Sequence, residues 1–290
     1  MARNNAGRTG APKGTDETTP ETEESSIPRG DTGDSLSFVT PTEFVELPSQ
    51  GKYYPPDHPL HNVGELEIRF MTAKDEDTLS SETLLKKGLA IERMMQNIIV
   101  DKSIKPDTLL LGDRSAILLA ARASAYGADY ETRVTCPACN THCTHTFDLN
   151  SVTPYAGDSW TDFDISTSGK GTFFIALPKS GATVEVRLTT GRDEKALIKS
   201  QRQKKKYNLD ENLNTETMKV FIVSVNNITN GATISKFIDN MPAYDSRYLK
   251  VCFKKVTPTL DTTHEFDCNA CGYETTLEVP FTTDFFWPKQ

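Results

Sequence analysis

The sequence predicts an α+β chain. It has a helical core with antiparallel β-hairpins and a split four-cysteine clamp. Three observations carry this. Apolar residues recur at helical spacing in residues 80–101 and 112–126. Short alternating runs bounded by turn residues recur on either side of them. Two Cys-x-x-Cys pairs, Cys136 to Cys139 and Cys268 to Cys271, each lie between two such runs.

Taken in order, residues 1–35 hold one isoleucine and no aromatic residue, with basic residues first and acidic ones after. Such a stretch cannot bury enough apolar surface to offset its ordering entropy, so it reads as a disordered tail. Residues 36–290 read as one body. It comprises an extended and helical part (36–130), a first cysteine hairpin (131–150), an inserted mixed region (151–262), and a second cysteine hairpin with an aromatic tail (263–290).

Within that body, FVELPSQGKYYPPDHPL (44–60) reads as turns and extended pieces. ELEIRFM (65–71) places Leu66, Ile68 and Phe70 on one face of a strand. Lys74 to Asp77 precede a helix over 80–101, which opens on serines and which Gly88 could divide. A second helix spans 112–126, with Asp113 as N-cap and Gly127 beyond its end. The two helices are expected to pack together. FFIALP (173–178) and TVEVRL (183–188) form a hairpin, and 191–206 a polar, basic helix. Short helices are expected at 217–225 and 234–241, and a longer one at 243–256 after Pro242. Apart from the two cysteine hairpins, no repeat of fixed period is evident.

Each Cys-x-x-Cys reads as strand, turn, strand: a zinc knuckle. Two intervening residues let both thiolates face one tetrahedral ion while turn N–H groups point at the sulfurs. Cys136, Cys139, Cys268 and Cys271 together make a closed structural Zn2+ site, zinc-ribbon-like but split around an inserted region. A thioredoxin-like redox pair would need a helix after the motif, and neither copy has one. Unbound thiols are a competing reading. So is a local site in which His142, Cys143 or His145 takes part, but that would leave Cys268 and Cys271 without partners. Cys252 reads as a core residue on a helix.

Composition narrows the function. The chain has 290 residues, a formal net charge of −8 and 37% hydrophobic residues. Its pI is near 5.3 and its mean hydropathy −0.47. The acidic balance argues against a general nucleic-acid binder. No apolar run reaches the roughly 18 residues of a membrane span, and no apolar leader marks a secretory signal. Six cysteines are too few for a disulfide scaffold, so a soluble protein of a reducing compartment is expected. RQKKK (202–206) reads as a solvated helix end that complements the macrodipole, and His58 and His61 as turn residues. Neither a GxxxxGK phosphate loop nor a Gly-x-Ser-x-Gly elbow is present, so no enzyme is expected.

Several uncommon motifs carry a family likeness. VELPSQGKYY (45–54) leads to MTAKDED (71–77), then LLLGDRSAILLAARASAYG (109–127) and CPAC, with CNACG and Phe285-Phe286-Trp287-Pro288 closing the chain. Over residues 38–290 this resembles the baseplate proteins of T-even-type contractile-tailed bacteriophages. The resemblance implies a hub subunit or assembly factor, structural and non-catalytic, with other baseplate proteins as partners and a homo-oligomer compatible. It also implies host cytoplasm during assembly, and leaves open whether the protein then stays in the virion baseplate or leaves after assembly. Tyr53, Tyr54, Phe285, Phe286 and Trp287 are the candidate partner anchors; the competing reading packs them into the protein's own core. The alternative function is a zinc-ribbon nucleic-acid-binding module, which would need a basic face on hairpins that are neutral to acidic here.

Overall fold

The computed structural model describes residues 40–169, 171–207, 212–281 and 285–286. The expected N-terminal tail and Trp287 lie outside them. The first half runs β1 (Thr42–Glu46), β2 (Glu65–Arg69), α1 (Ala73–Ser80), α2 (Glu82–Lys87), α3 (Ala90–Ile98), a 3-10 turn (Pro106–Thr108), α4 (Leu111–Tyr126), β3 (Asp129–Thr135) and β4 (His142–Asp148). Two short strands follow, β5 (Thr153–Tyr155) and β6 (Ile165–Thr167). The second half runs β7 (Thr172–Ala176), β8 (Thr183–Arg187), α5 (Gly191–Lys206), α6 (Leu213–Phe221), β9 (Ile222–Val225), α7 (Gly231–Asp239), α8 (Ala243–Val256), β10 (Thr259–Asp261), β11 (Thr263–Asp267) and β12 (Glu274–Glu278). Helices mix with small antiparallel sheets, the α+β class that the sequence predicts.

The two halves repeat one plan. In each, a hairpin opens on a matching run, FVELPSQG (44–51) and FIALPKSG (174–181). Its second strand runs into a capped helix through EIRFMTAKDEDTL (67–79) and EVRLTTGRDEKAL (185–197). Arg69 grips Asp75 through two hydrogen bonds, 2.7 and 3.0 Å, and Arg187 grips Asp193 at 2.8 and 2.7 Å. Both carboxylates also accept from the N–H and hydroxyl of a threonine three residues earlier, Thr72 or Thr190. These are reciprocal capping boxes, each locked to the preceding strand by an arginine.

The likeness continues. A later segment crosses back onto the hairpin, with Ile99 opposite Ile68 in the first half and Ile222 opposite Val186 in the second. The long helices α4 and α8 each carry a buried aspartate at their third residue, Asp113 and Asp245. Each aspartate reaches back to the hairpin turn. Asp113 accepts from Ser49 N–H (3.0 Å), Ser49 Oγ (2.6 Å) and Tyr54 OH (2.7 Å). Asp245 accepts from the N–H groups of Lys179 (2.9 Å) and Ser180 (2.8 Å). Each half then ends in a Cys-x-x-Cys hairpin. The two halves therefore share one structural plan, and residues 151–262, expected as an inserted mixed region, hold most of the second half.

Several local expectations change accordingly. Lys74 to Asp77 lie inside α1, because the Thr72–Asp75 box starts the helix earlier than the serines at 80 and 81. Gly88 ends α2 at φ +70°, so the 80–101 segment divides there. Asp113 lies within α4 and its carboxylate serves the hairpin turn, so it is not the N-cap. The 217–225 segment is the end of α6 and then β9, because Ile222, Ser224 and Val225 are buried as the fourth strand of β6–β7–β8–β9. α3 packs mainly on α1, and α4 on β1 and β10, so the two helices share a core without forming a simple pair. Gly112 meets the backbone of Pro258 so closely that any side chain would overlap the Pro258 carbonyl. Among the described residues no helix is long and apolar enough to cross a membrane.

Candidate metal centre

The two knuckles are built from the same turn. In the first, Cys136 N–H donates to Thr141 O (3.0 Å) and Asn140 N–H to Cys136 O (2.9 Å). In the second, Cys268 N–H donates to Tyr273 O (3.0 Å) and Gly272 N–H to Cys268 O (2.8 Å). The residue after the second cysteine must be left-handed for this closure. Gly272 takes φ +67° and Asn140 φ +56°. Asparagine tolerates that region better than other side chains do, so Asn140 is the first knuckle's counterpart of Gly272. A glycine in this place signals the turn in the sequence, whereas Asn140 does not.

The hairpins β3–β4 and β11–β12 bring all four sulfurs within 4.8 Å of one another. Cys136 Sγ lies 3.9 Å from Cys271 Sγ, and Cys139 Sγ 3.7 Å from Cys268 Sγ. Four thiolates about 2.3 Å from a tetrahedral zinc sit about 3.8 Å apart, so the donor set and its spacing fit that ion. Cys136 and Cys268 are buried, and Cys139 and Cys271 face outward. Among the described residues a small apolar cluster of Cys136, Phe266 and Cys268 supports this end, flanked by Val134, Cys143 and Leu277, of which Val134 and Leu277 also pack against the main core.

The thiol acidities differ with their surroundings. The Ala270 N–H, joined by that of Cys271 and opposed by burial, brings Cys268 down to about 6. The Thr141 hydroxyl and N–H lower Cys139. Cys271 receives the Tyr273 N–H, but crowding by the other thiols pushes it up to about 12. Turn N–H groups aimed at sulfur stabilise the thiolate form that a metal needs.

Of the neighbouring candidates, the two histidines are engaged elsewhere, while Cys143 lies against the cluster. His142 Nδ1 lies 3.0 Å from Thr135 Oγ1. His145 packs edge-on against Phe147 (4.6 Å between centroids) and Phe266 (5.5 Å). Cys143 Sγ is 3.8 Å from Cys268 Sγ, and burial raises its thiol. Cys252 is buried in the core, as its helix position implied.

The aromatic anchors need correction. Tyr54 is buried because its hydroxyl joins Asp113 and Leu110 N–H to the turn, while its ring stacks on His58 at 4.4 Å. Phe285 and Phe286 are buried too. Arg122 Nε donates to Phe285 O (2.7 Å), and the Phe285 ring meets Tyr130 edge-on at 5.1 Å. Tyr53 is half-buried against Phe173. These rings serve the core. His58 and His61 are turn residues, bonded to Thr108 Oγ1 (2.9 Å) and Tyr54 O (2.7 Å). The basic end of α5 lies along a surface cleft of about 320 Å³, where Lys204 pairs with Glu216 at 3.3 Å.

Compared with known families, residues 40–164 match the model described as T4 bacteriophage base plate protein. Those residues are similar to the T4-type baseplate family. The match covers the first half, including Tyr53, the Asp113 anchor and the first knuckle, and stops where β6 begins. The baseplate likeness of CNACG and of the closing aromatics lies beyond it. No curated protein and no solved structure matches the chain.

Proposed function

We propose that this chain is a structural or assembly component of a phage baseplate, working in the hub through protein–protein contacts and without catalysis. The baseplate match over residues 40–164 is the observation that carries this reading. In it, Cys136, Cys139, Cys268 and Cys271 hold one Zn2+. The ion would supply a closed four-thiolate cross-link and no open coordination position, so its part is structural. Each half contributes one knuckle, and the clamp fixes the two halves' hairpins against each other. Native mass spectrometry of the full chain co-expressed with its phage's other baseplate proteins tests the reading. A defined complex with those proteins supports it. A chain that forms no complex with any of them contradicts it.

A further inference from the structure

A fifth thiol stands beside the four-cysteine cluster. Cys143 Sγ lies 3.8 Å from Cys268 Sγ, a separation that falls between the 3.7 and 3.9 Å of the pairs within the cluster. Its side chain packs against the buried Cys136, Phe266 and Cys268. Cys143 is half-buried, whereas Cys139 and Cys271 are exposed. Strand register brings it there. Cys143 sits on β4 opposite Val134 of β3. Alternation puts it on one face with His145 and Phe147, whose rings meet Phe266 and His264 of the second hairpin.

The second knuckle shows that the hairpin itself does not ask for a thiol here. Matching Cys136 with Cys268, and Asn140 with Gly272, pairs Cys143 with Thr275. Thr275 stands opposite Phe266 as Cys143 stands opposite Val134, and it is half-buried as well. A threonine therefore serves the same place in the same turn, and the first half carries sulfur there instead.

Burial raises the Cys143 thiol first, and the sulfurs of Cys268, Cys136 and Cys139 raise it further. Those three sulfurs form the face of the cluster opposite Cys271. Zinc has no geometric preference from its d electrons and tolerates a fifth ligand in passing. A thiolate arriving through one face of a tetrahedron displaces the ligand opposite that face.

We propose that Cys143 is a reserve zinc ligand that takes the position of Cys271 when that outward thiolate is lost, leaving Cys136, Cys139, Cys143 and Cys268 as the donor set. In the exchange the Cys143 S–H gives its proton to water as its sulfur binds. The bond from zinc to the Cys271 sulfur breaks, that thiolate takes up a proton, and no electron is transferred. Both hairpins stay joined, because Cys268 still comes from the second. The inference rests on the zinc reading of the four cysteines.

The probe is cobalt(II) exchanged for zinc in the full chain, since its thiolate charge-transfer absorbance grows with each sulfur bound. Native mass spectrometry reads zinc per chain, and circular dichroism reads the fold. Cys143→Thr carries the counterpart's residue and should match the parent in all three. Cys271→Ser should keep one zinc and a four-sulfur cobalt spectrum. Cys271→Ser combined with Cys143→Thr should give a three-sulfur spectrum and hold zinc more weakly by at least about tenfold, the loss that even an outer-shell partner causes. If the parent holds zinc but Cys271→Ser shows three sulfurs or no metal, the reserve role falls and the zinc reading stands. A double variant that matches Cys271→Ser overturns the reserve role in the same way. A parent chain that binds neither metal overturns both.

Discussion

Four aspartates organise the halves of this molecule, Asp75, Asp113 and Asp245 buried and Asp193 half-buried, and two kinds of partner make them tolerable. Burial pushes the Asp75 and Asp193 carboxyls up, but Arg69 or Arg187 and the threonine donors more than offset it, so both lie below the ordinary 3.8. Asp245 is lowered in the same way by the Ser180 and Lys179 donors. Asp113 goes the other way, because its burial outweighs Ser49 and Tyr54. A carboxyl with a depressed folded-state value contributes stability above its unfolded value and loses it as pH falls through the folded value. Stability should therefore decline below about pH 4, with Asp113 opposing the trend. Urea midpoints across pH 2.5–6 should show a flatter acid limb for Asp75→Asn and Asp193→Asn than for the parent chain. Asp193→Ala removes a cap and leaves Arg187 unpaired, and should cost about 2–3 kcal/mol in urea unfolding. The sequence showed these carboxylates but not their roles. An aspartate near a helix start looks like an N-cap, and only the fold reveals that Asp113 and Asp245 reach sideways to a distant turn.

Among the elements, the hairpins and the long polar helix were legible because their period and turn residues agree. FFIALP-KSGA-TVEVRL folds as the β7–β8 hairpin, and 191–206 is the helix α5. β9 was not legible, since its four residues follow α6 directly and are strand-like only when β8 lies beside them. The knuckles were legible through cysteine spacing, although Asn140 in a glycine's place was not. Asn140→Val should cost roughly 1–2 kcal/mol, the penalty of a left-handed β-branched residue, and should weaken zinc retention. Competition with a chromophoric chelator measures that. Close approach is equally specific. Gly112→Ala drives a methyl into the Pro258 backbone and should destabilise the chain by about 1–3 kcal/mol. Gly64→Ala, with nothing within 4 Å of the new atom, should leave the melting temperature nearly unchanged.

At the scale of the whole molecule, the shared plan reinterprets the long gap between the cysteine pairs. A search for a fixed period misses it because the two halves differ in spacing. The first hairpin turn runs from Leu47 to Gly64 and the second only from Leu177 to Ala182. The capping boxes, the buried aspartates and the knuckles keep their order while the distances between them change. In the proposed clamp the ion would join the corresponding ends of the two halves, beside the small apolar cluster that their hairpins share. Two-stranded hairpins are marginal alone, so removing the metal should loosen both together while the main core, with its own buried residues, keeps its helices. Hydrogen exchange after chelation should show fast amides in β3, β4, β11 and β12 and slow ones in α4 and α8. The most direct test of the clamp is native mass spectrometry of the full chain with and without thiol alkylation under native conditions. The account predicts one zinc per chain, with Cys136, Cys139, Cys268 and Cys271 protected together and the zinc lost in Cys268→Ser. A chain that carries no zinc at neutral pH, with those four thiols alkylated freely, would contradict it.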